Sequence, residues 1–138
     1  MQITVETLVQ APLEQVWKAY NTPADIMQWN TASADWHTTR SEVDLREGGH
    51  FSSRMEARDG SFGFDFAGTY TRVVPHSLIE YSFGERRARV EFTQEGPAVR
   101  VRVHFDPENQ FPPERQREGW QAILDNFARY LQAGQSGA

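Results

Sequence analysis

Cysteine is absent from this chain of 138 residues. Its absence excludes disulfide bonds, thiolate zinc sites and cysteine nucleophiles together, and it is consistent with a reducing compartment. No apolar run approaches the roughly 20 residues that a membrane-spanning helix needs. The first residues also lack the basic region and apolar stretch of a signal peptide. We therefore expect a cytoplasmic protein without a membrane span.

A dense patch of positive charge is missing as well. The formal net charge is −5, from 14 basic and 19 acidic residues, and the two signs are mixed along the chain. The nearest approach to a basic cluster, residues 85–89, is typical of a hairpin turn with a solvated strand face. We therefore expect no nucleic-acid partner.

The chain also lacks the spacings of a metal or catalytic centre. There is no His-x-His or His-x-x-x-His pair, and His50 and His104 are predicted to face solvent while His76 falls in a turn. No Ser-His-Asp arrangement or glycine-rich phosphate loop is present. We therefore expect no metal ion and no cofactor, and we assign no catalytic residue.

The chain does contain one long amphipathic segment near its C-terminus. Pro112 and Pro113 precede it, and Glu114 stands near its positive end, as at a helix N-terminus. Its apolar residues recur at steps of three and four, which predicts one wide stripe on a helix. The stripe consists of Trp120, Ile123, Leu124, Phe127 and Leu131.

Most residues from about 43 to 105 alternate with a period of two instead, which predicts six antiparallel strands. Turns are expected at Gly48 and Gly60, and Gly68 is expected at a bulge or bend of the sheet. Ahead of these strands, the pattern predicts a strand from Ile3 to Val9 and two short helices over about 12–29. Residues 30–40 are interpreted as a polar segment.

This order predicts an α+β domain over residues 1–138, with 132–138 as a polar, frayed tail. The curved antiparallel sheet would wrap around the long C-terminal helix in a helix-grip arrangement, since the helix stripe and the sheet face need each other for burial. A single helix against a curved sheet leaves space, so we expect a cavity between them.

Several short motifs, in this order and spacing, resemble those of the START-like, or SRPBCC, superfamily, and most closely its branch of activators of heat-shock protein 90 ATPase. The matching pieces are 11–17, 44–49, Asp59-Gly60, 66–70 with Val74-Pro75, and 119–131. They are turns, bends and packing positions. The resemblance implies a hydrophobic cavity under the long helix, often with a small ligand.

We therefore predict a non-enzymatic domain that binds a hydrophobic or amphipathic small molecule, as a monomer or homodimer. Ser53 is a hydroxyl on the apolar face that needs a partner, and Arg86 is inward only if its strand phase extends that far. The polar end of the ligand is expected near His37 and the cavity mouth. The predicted ligand-binding residues are Trp29, Trp36, His37, Phe51, Ser53, Met55, Phe64, Phe66, Tyr81, Phe83, Phe92, Trp120 and Leu124.

Two alternatives remain open. The first is a cyclase- or hydrolase-like enzyme that uses His37, Tyr70 or Tyr81 as acid or base; the sequence predicts no carboxylate on the inner face to pair with them. The second, implied only by the resemblance, is a chaperone partner.

Overall fold

The predicted order of elements is confirmed by the structure, a computed structural model that describes residues 2–136, with side chains through residue 133. The elements are β1 (Ile3–Val9), α1 (Leu13–Asn21), α2 (Pro23–Trp29), β2 (Trp36–Val43), β3 (His50–Ala57), β4 (Gly63–Val74), β5 (Leu78–Phe83), β6 (Arg86–Glu95), β7 (Ala98–Phe105) and α3 (Pro113–Ser136).

The seven strands form one curled antiparallel sheet in the order β1-β7-β6-β5-β4-β3-β2. Strands β2 to β7 follow one another as hairpins, and β1 closes the far edge by pairing with β7, Ile3 opposite Phe105 and Val9 opposite Val99. The turns predicted at Gly48 and Gly60 have φ of +84° and +77°, a region that glycine occupies without steric cost. The α+β helix-grip fold is thus confirmed.

Strand β2 begins earlier than the sequence suggested. Residues 36–40, predicted as part of a polar segment, pair with β3, and Leu45 lies beyond the end of the strand. The prediction was wrong because Thr38, Ser41 and their neighbours are polar on both faces, so the alternation of an edge strand is weak here.

Gly68 is not at a bulge, since it pairs regularly with Phe51. The register shift lies between Tyr70 and Arg72 instead. A Cβ on Gly68 would stand 2.4 Å from the carbonyl oxygen of Ser82 and 2.8 Å from the Phe51 ring. This glycine is therefore required by the close approach of a neighbouring strand and an aromatic ring.

Helix α3 begins at Pro113, as predicted, and continues to Ser136. Residues 132–136, predicted to be a frayed tail, are thus helical, and residues 137–138 lie outside the described residues. The helix packs along β1 and against α1 and α2. Its stripe enters the core there, with Phe127 at 0% exposure and Leu124 at 3%.

Candidate functional site

A pocket of about 370 Å³ lies between the concave face of the sheet and the first half of α3. Along α3 it extends from Gln116 to Leu124, about 12 Å at the rise of an α-helix. Its lining comes from all three helices, several strands and the loop before α3. The lining residues are Tyr20, Asn21, Ile26, Trp29, Asn30, Val43, Phe51, Ser53, Met55, Phe64, Phe66, Tyr70, Ile79, Tyr81, Arg86, Val103, Glu108, Gln116, Gly119, Trp120, Ile123 and Leu124.

The sheet side of the pocket is a set of aromatic rings in mutual contact. Phe51 on β3 lies 5.2 Å from Tyr70 and 4.9 Å from Tyr81, measured between ring centroids. Phe66 on β4 lies 5.9 Å from Phe51. Offset and edge-to-face contacts of this kind hold rings in place beyond the effect of their burial. The wall is therefore apolar and ordered by its own packing.

The helix side of the pocket is fixed by Trp120. Its indole stacks on Phe105 at 3.9 Å with 8° between the planes, and it also contacts Phe66 at 6.1 Å. Farther along the helix, the Asn126 side-chain amide donates hydrogen bonds to the carbonyls of Trp29 and Thr31. These bonds tie α3 to the end of α2, where Trp29 closes the pocket.

Four residues of this lining carry hydroxyl groups, namely Tyr20, Ser53, Tyr70 and Tyr81. Burial raises the pKa of Tyr20, Tyr70 and Tyr81 above that of a free tyrosine, so these phenols stay protonated at neutral pH. They accept no hydrogen bond from, and donate none to, the described residues. The Oγ of Ser53 lies 3.4 Å from that of Ser41, which supplies the partner that the sequence required.

The charged end of the pocket lies where α3 begins. Arg86, at the start of β6, donates from Nε to the carbonyl of Asp106 at 3.0 Å, and its guanidinium carbon lies 4.5 Å from the Phe83 ring centre. Its Nη1 lies 3.9 Å from Oε2 of Glu108. The other carboxylate oxygen, Oε1, is buried without a hydrogen-bond partner among the described residues.

Gln116 positions the loop that carries Glu108. Its side chain is 8% exposed, accepts from the backbone N–H of Glu108 at 2.8 Å, and donates to the carbonyls of Glu108 and Phe111. A buried amide with three bonds to one loop restricts its conformation. The loop therefore presents Glu108 to the pocket in a defined place.

Nine of the thirteen predicted ligand-binding residues line the pocket. The structure brings together Trp29, Phe51, Ser53, Met55, Phe64, Phe66, Tyr81, Trp120 and Leu124. The other four, Trp36, His37, Phe83 and Phe92, lie outside the lining.

His37 and Trp36, the first two residues of β2, lie outside the lining for different reasons. His37 pairs with Glu56 on β3. Met55, the neighbour of Glu56 on β3, faces the pocket, and successive side chains of a strand point to opposite faces. The His37–Glu56 pair therefore faces the outer side of the sheet. Trp36 packs instead on Phe62 and Phe64, at 6.0 and 5.9 Å. His37 therefore faces away from the pocket.

Phe83 and Phe92 are buried against other aromatic rings next to the pocket and do not line it. Phe83 lies between Phe66 and Trp120. Phe92 packs against Trp17 and Tyr20, at 5.1 and 5.4 Å. The alternating pattern predicted the correct face of the sheet for both residues. However, Trp17 and Tyr20 of α1 cover Phe92, and Trp120 of α3 covers Phe83.

Sequence reasoning missed Glu108 and Gln116. The carboxylate that reaches the pocket comes from the loop after β7 and not from the inner face of a strand, so the strand alternation gave no sign of it. Gln116 had a signal, since it precedes Trp120 by four residues and so lies on the same side of α3. A polar residue in line with an apolar stripe indicates a polar contact on the buried side.

Over residues 2–136, no helix is long and apolar enough to cross a membrane. In the same range, no group of three or more His, Asp or Glu side chains is arranged to hold a metal ion.

Comparison with known proteins gives a consistent result. Residues 10–132 match the model of a family described as "Activator of Hsp90 ATPase homolog 1-like protein". The solution structure of an AHSA1-like protein from Aeromonas hydrophila is 45% identical, with a TM-score of 0.92 over 98% of this chain and 94% of that one. No curated protein matched the chain.

Two further solved structures extend the likeness. A protein from Cytophaga hutchinsonii is 44% identical, with a TM-score of 0.83 over 99% of this chain and 96% of that one. A protein from Nitrosomonas europaea has a TM-score of 0.82 over 99% and 97% of the two chains at 18% identity. At that identity the likeness concerns the fold alone.

Proposed function

Since this chain belongs to the family of Activator of Hsp90 ATPase homolog 1-like proteins, with a START/SRPBCC-like fold, we propose that it binds a hydrophobic or amphipathic small molecule without transforming it. The fold of this family suggests a ligand-binding or a chaperone-associated domain. The observation that carries the first alternative is the pocket beside α3. Its volume is in the lower range of small-molecule sites, and its walls are mainly aromatic and aliphatic.

The arrangement of polar groups favours binding over catalysis. Tyr20, Tyr70 and Tyr81 have raised pKa values because they are buried, so their hydroxyls serve as hydrogen-bond donors rather than bases. General acid–base catalysis needs a positioned partner within hydrogen-bonding reach. Among the described residues, no carboxylate bonds to any of these three phenols. The phenols are therefore suited to orienting a ligand.

Titration with fatty alcohols, fatty acids and other apolar compounds tests the proposal through tryptophan emission and melting temperature. Trp29 and Trp120 line the pocket, whereas Trp17 and Trp36 do not, so a Trp17→Phe/Trp36→Phe double variant isolates the two reporters. A bound compound stabilises the fold by about 2.7 kcal/mol at one hundred times its dissociation constant. If no compound in a broad apolar set changes emission or melting temperature, the proposal is wrong.

Chaperone association is the second candidate, and it is favoured by the family description alone. Its test is the ATPase rate of a purified Hsp90 with increasing amounts of this protein. A saturable increase in rate would support this candidate, and an unchanged rate together with direct ligand binding would favour the first.

A further inference from the structure

We propose that the Arg86–Glu108 end of the pocket recognises a neutral polar group on the ligand, one that donates a hydrogen bond to Glu108 and accepts one from Arg86. Alcohols, phenols and primary amides have this chemistry. The inference rests on the proposed function, since it names the class of small molecule that the same pocket would select.

The first step is the unpaired carboxylate oxygen. Oε1 of Glu108 is buried and has no donor among the described residues, although Glu108 lines the pocket. A buried acceptor without a donor is unfavourable, and native proteins seldom leave one unexplained. The Glu108 side chain as a whole is 33% exposed, so a small turn of its carboxylate would let a ligand hydroxyl or amide N–H at this end of the pocket supply the missing donor.

The second step concerns Arg86, whose side chain is held in place although its terminal N–H groups make no hydrogen bond among the described residues. Nε of Arg86 is used by the carbonyl of Asp106, and the guanidinium lies over the Phe83 ring. The shortest approach of its Nη1 to Glu108 is 3.9 Å, which is too long for a hydrogen bond. Terminal N–H groups are thus available to an acceptor on the ligand.

The third step is the balance of charge. Arg86 and Glu108 are the only charged residues among those that line the pocket, so their formal charges cancel. A ligand carboxylate would be attracted by Arg86 but repelled by Glu108. A ligand ammonium group would be attracted by Glu108 but repelled by Arg86. A neutral group that both donates and accepts is compatible with both side chains, and it carries no charge that must be desolvated.

The position of the pair also agrees with an amphipathic ligand. Gln116 fixes the loop of Glu108 at the beginning of α3, while the aromatic walls extend away from it toward Trp29 on α2. A polar head at Arg86–Glu108 would therefore leave the apolar body of the ligand against Phe51, Phe66 and Trp120.

Three probes of similar shape test this inference by calorimetry at pH 7: naphthalene, 2-naphthol and 2-naphthoate. On the unaltered protein, we expect 2-naphthol to bind about tenfold more tightly than 2-naphthoate, as one hydrogen bond to a charged group would provide. Glu108→Gln should raise the affinity for 2-naphthoate about tenfold, because it removes the repulsion. Arg86→Gln should lower the affinity for 2-naphthol several-fold and that for naphthalene to a smaller extent.

Glu85→Gln and Arg89→Gln are the matched controls. They make the same changes of charge at exposed residues next to Arg86 or on its strand, outside the lining, and each should change every affinity less than twofold. Melting temperatures check that all variants are folded, and the ranking of the probes on the unaltered protein requires no variant.

The outcomes separate the two proposals. Equal affinity for 2-naphthol and 2-naphthoate, tightest binding of 2-naphthoate, or an effect of Glu85→Gln as large as that of Glu108→Gln would overturn the head-group inference while leaving ligand binding in place. If none of the three probes binds while another compound of the broad apolar set does, the head-group inference is overturned and the proposed function stands; if no compound of that set binds, both are overturned.

Discussion

The two halves of the concave sheet face have the same alternating pattern but different surroundings. On β1, β6 and β7, residues such as Ile3, Val90 and Val101 are 0% exposed. On β3 and β4, inward-facing Phe64 is 40% exposed, and Phe51 and Phe66 line the pocket. The half formed by β1, β6 and β7 is packed against helices, whereas the half formed by β3 and β4 lines the pocket.

The width of one helix explains the difference. Seven strands at about 4.8 Å spacing span roughly 29 Å, while an α-helix with its side chains is about 10–12 Å across. Helix α3 runs along β1, so it leaves most of β3 and β4 uncovered and reaches them only with a side chain such as Trp120. The apolar residues of that half therefore face a pocket, and the comparison teaches that one apolar sheet face can be packed at one end and left open at the other.

The largest expected effect comes from comparing a packed ring with a pocket ring. Phe127 is fully buried between Tyr20 and Trp29, at 5.3 and 4.8 Å, so Phe127→Ala should reduce the free energy of unfolding by about 3–5 kcal/mol. Phe64→Ala, at a partly exposed pocket residue, should cost about 1 kcal/mol. Denaturant unfolding measures both.

Arg129→Ala is the control on the same helix, because Arg129 is exposed and, among the described residues, bonds only to the side chain of Asn126. It should change stability by less than about 0.5 kcal/mol. Equal losses for Phe127→Ala and Phe64→Ala would contradict the distinction between a packed and an open half.

The next effect concerns the space itself. Ser53 is 7% exposed and faces the pocket, so Ser53→Leu should occupy part of the volume and weaken naphthalene binding at least tenfold, about 1.4 kcal/mol. Its melting temperature should change little, since the added methyl groups enter a void.

Ser52→Leu provides the matched comparison, because Ser52 is the next residue on β3 and faces the outer side. It should leave the naphthalene affinity unchanged. Similar affinities for the two variants would show that the compound binds elsewhere.

The smallest expected effect tests a hydrogen bond that joins α3 to α2 in the packed half. The hydroxyl of Tyr130 on α3 donates to Asp25 on α2 at 2.5 Å, and this bond is the main cause that raises the pKa of Tyr130 to about 12. Tyr130→Phe should cost about 1 kcal/mol at pH 7.

The pH dependence has a definite sign. Because the pKa of Tyr130 is higher in the folded state than the ordinary value of about 10, its contribution is complete below pH 10 and is lost as the pH rises toward 12. The stability difference between the unaltered protein and Tyr130→Phe should therefore shrink over that range, as measured by unfolding at each pH. A constant difference would mean that the hydroxyl does not stabilise the fold through Asp25.

The elements with a strong period could be predicted from the sequence, and those without one could not. The stripe from Trp120 to Leu131 and the alternation of β7 each bury a continuous face, so their pattern is clear. The first residues of β2 were missed, because an edge strand that carries Thr38 and Ser41 on its inner side has little apolar alternation. His37 was consequently placed near the pocket when it faces outward.

The sequence by itself determined the order of the elements and which side of the strongly alternating strands is apolar, because these depend on local periods of two and 3.6 residues. Only the tertiary structure decided which apolar residues are packed and which line a pocket, because that depends on where a helix of limited width lies on a wider sheet. It likewise placed Glu108 beside Arg86, since a loop held by Gln116 and the start of a distant strand meet only after the chain has folded.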